Sequence, residues 1–216
     1  MERALFYLRI HPGTEAEYDR RHAEVWPELV DAIRAAGVRD FSGFRRGTDV
    51  WYYGEYEPDA ATAFGLLGQQ EVNARWNRYF RDVIAHITTD SGELIFYDEV
   101  FHTNAGPALE GPKSRGFLTL VIDIERSDEY EALHAEPWPD MIAAIAASGF
   151  RNYSGFRRGA SVVYYGEYHP DMATVLGRMA RHEVNARWGK AFEGIITTIT
   201  APDGSLITAT EIYHQD

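Results

Sequence analysis

The sequence YYGEY at residues 52–56 occurs a second time at residues 164–168, and this repetition decides the fold. Working outward, GFRRG at residues 43–47 recurs at 155–159, and EVNARW at residues 71–76 recurs at 183–188. Every match has the same offset of 112 positions, and about half of the positions from His22 onward are identical in the two copies. A constant offset is the signature of a duplicated structural unit.

Each copy has the pattern of a βαββαβ unit. Residues 3–10 alternate as a strand does, and Thr14 with Glu17 predicts a capping box that starts a helix running to about residue 36. The remaining predicted elements are strands at 39–46, 49–57 and 94–102 and a second helix at 69–84. This order predicts an α+β fold of two ferredoxin-like repeats.

The predicted strands carry large apolar side chains on both faces. Val50, Tyr52 and Tyr56 lie on one face of their strand, and Trp51 and Tyr53 lie on the other. Both faces should therefore be covered, and the simplest cover is the sister repeat, packed sheet on sheet as an intrachain dimeric α+β barrel. The predicted domains are a first repeat at 1–103, a linker rich in Pro and Gly at 104–116, and a second repeat at 117–216.

Charge and composition limit the classes of partner. The net charge of −12 disfavours nucleic acid, which needs basic patches, and disfavours an acidic membrane surface. A small molecule, a sugar or an aromatic metabolite, is the expected partner. The chain has no cysteine and shows no signal peptide or long apolar span, so a cytoplasmic location is expected. Whether the intrachain pseudo-dimer assembles into a further homo-oligomer stays open.

The first helix holds the strongest candidates for chemistry. Tyr18 and His22 are four residues apart and share a helix face, and Trp26 follows four residues later. Pro27 predicts a break in the helix at about residues 23–27, which would leave backbone groups free beside His22. An imidazole can exchange a proton at neutral pH, and a nearby phenol can assist it. The alternative is a buried Tyr–His hydrogen bond with a structural role only. The second copy repeats the pattern with Tyr130, His134 and Trp138.

Two further pairs of residues are candidates for substrate binding. Trp76 and Trp188 lie on the apolar stripe of the second helix and serve either the core or a ligand. Glu55 and Glu167 project from strands that are otherwise aromatic, and either bind hydroxyl groups or pair with a neighbouring arginine. The remaining histidines show no metal-ligand spacing, so no metal is predicted.

The stretch EYDRRHAEVWPEL at residues 17–29 resembles the signature of the L-rhamnose mutarotase family, and residues 74–76 match a second family segment. The resemblance covers both repeats nearly from end to end. It implies a dimeric α+β barrel that needs no cofactor and interconverts the anomers of a 6-deoxy-hexose. It assigns the acid/base role to His22 and His134, places the family tyrosine at Tyr18 and Tyr130, and places the helix-two tryptophan at Trp76 and Trp188.

The sequence departs from the family pattern in ways that should make the two pockets differ. The family usually has one unit per chain and a Trp pair on the second helix, whose second member is here Asn77 and Gly189. The basic pair before His22 becomes Ala132 and Leu133 before His134, and the last strands begin differently. Residues 96–98 read FYD, and residues 208–210 read TAT.

The sequence therefore predicts an isomerase of the mutarotase type. We expect His22 and Tyr18, with His134 and Tyr130, to act in catalysis. The residues expected to bind substrate are Trp26, Trp76, Trp138, Trp188, Glu55 and Glu167. Two alternatives stay open: a cyclase or isomerase of a polyketide-like aromatic substrate on the same barrel, and a sugar-binding module without catalysis.

Overall fold

A computed structural model describes residues 1–216 and contains the two predicted repeats. The first repeat comprises β1 (Glu2–Ile10), α1 (Glu15–Ala23), α2 (Pro27–Ala35), β2 (Val38–Arg46), β3 (Asp49–Tyr56), α3 (Ala60–Gly68), α4 (Glu71–Tyr79), β4 (Ile84–His86) and β5 (Ile95–Thr103). The second comprises β6 (Ser114–Ile122), α5 (Ser127–Ala135), α6 (Pro139–Ser148), β7 (Phe150–Arg158), β8 (Ser161–Tyr168), α7 (Met172–Met179), α8 (Glu183–Ala191), β9 (Ile196–Thr198) and β10 (Thr208–Gln215). The predicted class, α+β with two ferredoxin-like repeats, is confirmed.

The chain divides into two compact units whose limits differ from those of the repeats. The first unit contains residues 1–97 together with 210–216, and the second contains residues 98–209. In the first unit, antiparallel pairing orders the strands β10-β2-β3-β1-β5. In the second unit, β5 pairs with β7, β7 with β8, β8 with β6, and β6 with the start of β10. Residues 104–113, within the predicted linker, form no helix or strand.

The last strand of each repeat is therefore shared between the units. Strand β5 begins in the first unit, where Phe96 pairs with Phe6, and continues into the second, where Phe101 pairs with Gly155. Strand β10 has the reciprocal course, and its Tyr213 pairs with Gly43. Each unit thus includes a piece of strand from both repeats, which an internal sequence repeat cannot reveal.

The predicted break in the first helix is confirmed in both repeats. Helix α1 ends at Ala23, and α2 begins at Pro27 with Trp26 as an extended N-cap residue. Proline restarts the helix because its missing donor costs nothing in the first turn, and it keeps the preceding residue out of the helical region. Trp138 and Pro139 repeat this arrangement.

Three details of the helix prediction are wrong. Thr14 makes no side-chain cap bond, because its hydroxyl donates to the carbonyl of His11 and the predicted capping box does not form. The prediction also omits α3, whose first turn is capped by Asp59 accepting from the amide of Thr62. The predicted helix at 69–84 ends early, at Tyr79, and β4 follows. None of the helices is long and apolar enough to cross a membrane.

The core of the first unit lies between the helices and one face of the sheet. Val50, Tyr52 and Tyr56 pack there with side chains of the helices. Trp51 and Tyr53, on the opposite face of β3, are also buried. The prediction that both faces are covered is therefore confirmed.

The shared strand makes a testable contribution to stability. Phe101 is buried in the core of the second unit, so Phe101→Ala should lower the free energy of unfolding by about 3 kcal/mol or more. Urea denaturation measures the change. Val121→Ala, on the exposed part of β6, is the matched control and should change stability by less than about 0.5 kcal/mol. An equal effect of the two substitutions would contradict the packing of β5 in this unit.

Candidate active site

Helix α1 holds His22 by a bond to its own backbone. The ring nitrogen Nδ1 of His22 lies 2.9 Å from the carbonyl oxygen of Tyr18, one helical turn earlier. A carbonyl oxygen can only accept, so Nδ1 carries the hydrogen and Nε2 of the neutral ring is the acceptor. The predicted Tyr18–His22 pair therefore exists, but it is the backbone of Tyr18 that contacts the imidazole.

The phenol of Tyr52 reaches the other ring nitrogen. Its hydroxyl lies 2.6 Å from Nε2 of His22 and 2.8 Å from the hydroxyl of Tyr18. Gly43, opposite Tyr52 on β2, leaves room for the ring, because a Cβ there would lie 2.7 Å from Cε1 of Tyr52. Tyr52 was missed by the sequence analysis as a site residue. The available signal was its place in the repeated YYGEY segment, on the face of β3 that packs under the helices.

Burial sets the protonation of these groups. His22 is 8% exposed, and desolvation lowers the pKa of its imidazole to about 4. Burial likewise raises the pKa values of the Tyr18 and Tyr52 hydroxyls above their ordinary value. At neutral pH all three groups are therefore uncharged, and each can exchange a proton without a permanent charge in the apolar interior.

A cavity of about 540 Å³ opens beside these residues in the first unit. Its wall includes His22, Tyr18 and Tyr52, and Trp76 lies edge-on to the imidazole with ring centroids 5.7 Å apart. Most of the remaining wall is apolar, and the side chains with polar groups that line it are Tyr56, Asn73, Asn77, Arg81 and Tyr213. The structure thus brings three of the predicted site residues of the first repeat, Tyr18, His22 and Trp76, to one cavity.

Trp26 and Glu55 do not line this cavity. Trp26 packs edge-on against Trp76, at 5.2 Å between ring centroids, and Arg75 lies over its face. Glu55 lies on the opposite face of β3 and accepts a hydrogen bond from Tyr53 at 3.0 Å. Trp26 therefore supports the wall from behind, and a role of either side chain in binding substrate stays a prediction.

The second unit reproduces the hydrogen-bonded triad. Nδ1 of His134 lies 2.9 Å from the carbonyl oxygen of Tyr130, and Nε2 lies 2.6 Å from the hydroxyl of Tyr164. The hydroxyls of Tyr130 and Tyr164 are 2.5 Å apart. Burial lowers the pKa of His134 to about 4 as well.

The other candidates of the second repeat follow the pattern of the first. Trp188 lies 5.9 Å from His134 and edge-on to Trp138, over which Arg187 lies. Glu167 forms an ion pair with Lys113 at 2.6 Å, so it has a cationic partner of its own.

The exchanged strands bring one aromatic ring to each histidine. Tyr213 from β10 lies 6.4 Å from His22, and Phe101 from β5 lies 5.7 Å from His134. Each site therefore contains side chains from both repeats. The sequence analysis placed every site residue of one site within a single repeat and could not anticipate this.

A group of side chains that could hold a cation lies elsewhere in the first unit. Ligand atoms of Asp40, His214 and Asp216 lie within 4.8 Å of one another. The ring nitrogens of His214 are in hydrogen bonds, with Ser42 and with Asp216, both at 2.9 Å. These contacts show that the group is held together by hydrogen bonds among its own side chains and Ser42.

The fold and the site together define a class of protein: a ferredoxin-like α+β chain with a buried, uncharged histidine, hydrogen-bonded to a tyrosine, beside a cavity. Comparison with known proteins identifies the family. The sequence model described as L-rhamnose mutarotase matches residues 3–103 and again 115–215, so the chain belongs to the L-rhamnose mutarotase family in both repeats. It is therefore an isomerase, a sugar mutarotase.

Individual relatives agree with the family match. An L-rhamnose mutarotase of Burkholderia orbicola (strain MC0-3) is 38% identical over 85 residues, which cover 39% of this chain and 82% of that protein. One from Paraburkholderia xenovorans (strain LB400) is 32% identical over 116 residues, 49% of this chain and 98% of that protein. The crystal structure of a putative monooxygenase from Lactobacillus acidophilus NCFM aligns with a TM-score of 0.61 at 8% identity, covering 98% of this chain and 94% of that one. This last likeness shows the fold alone.

The low pKa values of the two histidines should make the free energy of unfolding depend on pH. An imidazole in the unfolded chain protonates near its ordinary pKa of about 6.5, whereas His22 and His134 stay neutral down to about pH 4. The unfolded state therefore binds more protons in this window. The free energy of unfolding should fall as the pH is lowered through it, by up to about 3 kcal/mol per histidine.

Urea denaturation at several pH values measures this dependence, and the double variant His22→Asn/His134→Asn should show a smaller slope between about pH 6 and about pH 4.5. An NMR titration of the ring nitrogens gives the two pKa values directly. Measured values near 6.5 would contradict the buried environment described above.

Proposed function

We propose that this chain interconverts the α and β anomers of a 6-deoxy-hexose such as L-rhamnose, by acid/base ring opening at His22 and at His134. Membership of the mutarotase family gives the class of reaction. The observation that carries the assignment of residues is the neutral imidazole at the wall of a cavity, hydrogen-bonded to the hydroxyl of Tyr52, which is bonded in turn to the hydroxyl of Tyr18.

Mutarotation needs one proton removed and one delivered. The proton leaves the anomeric hydroxyl O1, the C1–O5 bond breaks as C1=O1 forms, and O5 takes up a proton. The aldehyde then rotates about C1–C2 and closes on its other face by the reverse steps. A neutral imidazole suits this sequence because it accepts the first proton and can return one, and no net charge enters or leaves the site.

The cavity offers further contacts for a pyranose. Trp76 presents an indole in the wall, against which the apolar face of a sugar ring can pack. The amides of Asn73 and Asn77 can each donate to and accept from hydroxyl groups. These residues are our candidates for substrate binding in the first site, together with the catalytic groups.

Exchange of L-rhamnose anomers, followed by NMR saturation transfer, tests the proposal. The double variant His22→Asn/His134→Asn keeps an amide near the position of Nδ1 but has no titratable nitrogen, so exchange should fall by about 10²–10⁴-fold. The single variants show which site acts on this sugar. His86→Asn, at an exposed position on β4, should leave exchange unchanged. Full exchange in the double variant would refute the assignment of the histidines.

The size and lining of the cavity favour a second candidate. A volume of about 540 Å³ with a mainly aromatic and aliphatic wall is typical of pockets that enclose larger, more apolar ligands than a monosaccharide. The second candidate is therefore an isomerase or cyclase of a polyketide-like aromatic substrate, with the same acid/base groups.

Binding of a hydroxylated anthraquinone, followed by quenching of tryptophan fluorescence, separates the two candidates. Tight binding by a protein that exchanges no sugar anomers would support the aromatic substrate. Inhibition by added L-rhamnose of the anomer exchange of other deoxy-sugars, together with no binding of the anthraquinone, would support the mutarotase. Saturable binding of sugar without exchange would contradict both candidates and indicate a binding module.

A further inference from the structure

We infer that the cavity of the first unit binds an aromatic carboxylate, whose carboxylate group pairs with Arg81 at the open side of the cavity while its rings lie against the apolar wall. This ligand class goes beyond the proposed function, because neither L-rhamnose nor a neutral aromatic compound has a charge to place beside Arg81. The inference concerns binding alone and holds for either of the two candidate reactions.

Three polar side chains border the cavity at intervals of four residues. Asn73 and Asn77 lie one turn apart on α4, and Arg81 follows four residues later. The amide of Arg81 bonds to the carbonyl of Arg78 at 3.3 Å, which continues the turn beyond the end of the helix. Asn77 and Arg81 are the exposed residues of the cavity lining, whose other members are buried or half-buried. The three side chains therefore form a polar edge at the open side of the cavity, where a ligand can reach them.

The guanidinium of Arg81 has no partner within the protein. It forms no hydrogen bond or ion pair, whereas the preceding arginine of α4, Arg78, pairs with Glu71 at 2.8 Å. The adjacent carboxylate, Asp82, uses both of its oxygens to bind Arg21, at 2.8 and 3.0 Å. In a chain with 33 acidic and 21 basic residues, an unpaired arginine beside a cavity is available to the charge of a ligand.

One guanidinium with two neutral amides suits a carboxylate. The guanidinium of Arg81 presents parallel N–H donors that match the two oxygens of a carboxylate, and Asn73 and Asn77 add amide donors. Neither amide side chain has a hydrogen-bond partner in the protein. A dianion such as a phosphate ester fits less well, because a single cation leaves one of its charges uncompensated in a chain of net charge −12.

The rest of the lining favours an aromatic body for the ligand. Phe41, Phe64 and Trp76 line the cavity and are only half-buried, so their rings have surface left for contact with a ligand. Aromatic rings gain free energy from edge-on or offset contacts beyond the area that they bury. Tyr213 offers its ring as well, because its hydroxyl donates to Gln215 at 2.7 Å. A volume of about 540 Å³ admits a bicyclic ring system together with its carboxylate.

The second repeat has the opposite charge at the position equivalent to Arg81. With the offset of 112 residues, Arg81 corresponds to Glu193 and Asn77 corresponds to Gly189. A carboxylate at this position repels a ligand of like charge. We therefore expect one anion per chain, bound in the first unit.

Isothermal titration calorimetry with 2-naphthoate and its neutral isostere 2-naphthamide, at neutral pH, tests the inference. The wild-type chain should bind 2-naphthoate about tenfold more tightly than the amide, because a charge-assisted hydrogen bond contributes more than a neutral one. Arg81→Gln should abolish this preference. Arg81→Glu, which copies the charge of the second repeat, should weaken the binding of 2-naphthoate further and leave that of 2-naphthamide nearly unchanged.

Arg46→Gln is the matched control. Arg46 is an exposed arginine of the same unit that does not line the cavity, so its substitution makes the same change of net charge and should leave both affinities unchanged. Added salt should weaken the binding of 2-naphthoate and not that of 2-naphthamide, because salt screens interactions between exposed charges.

Equal affinities for the acid and the amide, absence of binding of 2-naphthoate, or an Arg81→Gln variant that keeps the preference would overturn the inference. Two equal sites per chain would overturn its restriction to the first unit. Anomer exchange of L-rhamnose, measured on the same wild-type protein, separates this result from the proposed function. Exchange without a preference for the acid would refute the carboxylate site and leave the mutarotase proposal intact. A preference for the acid without sugar exchange would refute the proposed function and leave the carboxylate site intact.

Discussion

In each unit, one row of residues paired across the strands positions the tyrosine that contacts the histidine, and the site depends on this row. In the first unit the row runs Phe96, Phe6, Tyr52, Gly43 and Tyr213 over five strands. Its central phenol reaches the helix layer because the neighbouring glycine has no side chain, and its last residue comes from the other repeat. The exchange of strands is thus a constraint on the site as well as on the fold. Because the two repeats are in one chain, every molecule contains both exchanged strands, β5 and β10.

The break between α1 and α2 places His22 of the helix layer against Tyr52 of this row. Because α1 ends at Ala23, His22 lies in its last turn, where the imidazole can bond to a helix carbonyl and still face Tyr52. Pro27 then restarts the chain as α2. The same dipeptide that interrupts the helix also places Trp26 behind Trp76. One local sequence signal therefore positions His22 and supports the aromatic wall of the cavity beside it.

The sequence predicted the parts of this site that depend on local pattern and missed those that depend on pairing. The offset of the repeat, the alternation in residues 52–56 and the proline at position 27 are local signals, and each led to the correct element. Tyr52 meets His22 across 30 residues of chain, through a strand-to-helix contact that no spacing rule describes. Strand exchange was equally hidden, because β5 pairs as an ordinary last strand would, and only its second half lies in the other unit.

The surroundings of the two histidines differ in their aromatic and aliphatic neighbours and agree in the hydrogen-bonded triad, and this division has a physical basis. Along the row of the second unit, Thr208, Leu118 and Phe101 replace Phe96, Phe6 and Tyr213, whereas the phenol and the glycine are kept. Wall residues contribute separate contacts, so each can change alone at the cost of one contact. The imidazole and the two phenols share hydrogens in a single chain, and loss of any member leaves a buried polar partner unsatisfied. The side chains around a duplicated triad can therefore diverge while the imidazole and the two phenols are kept, and the changes between these repeats follow that division.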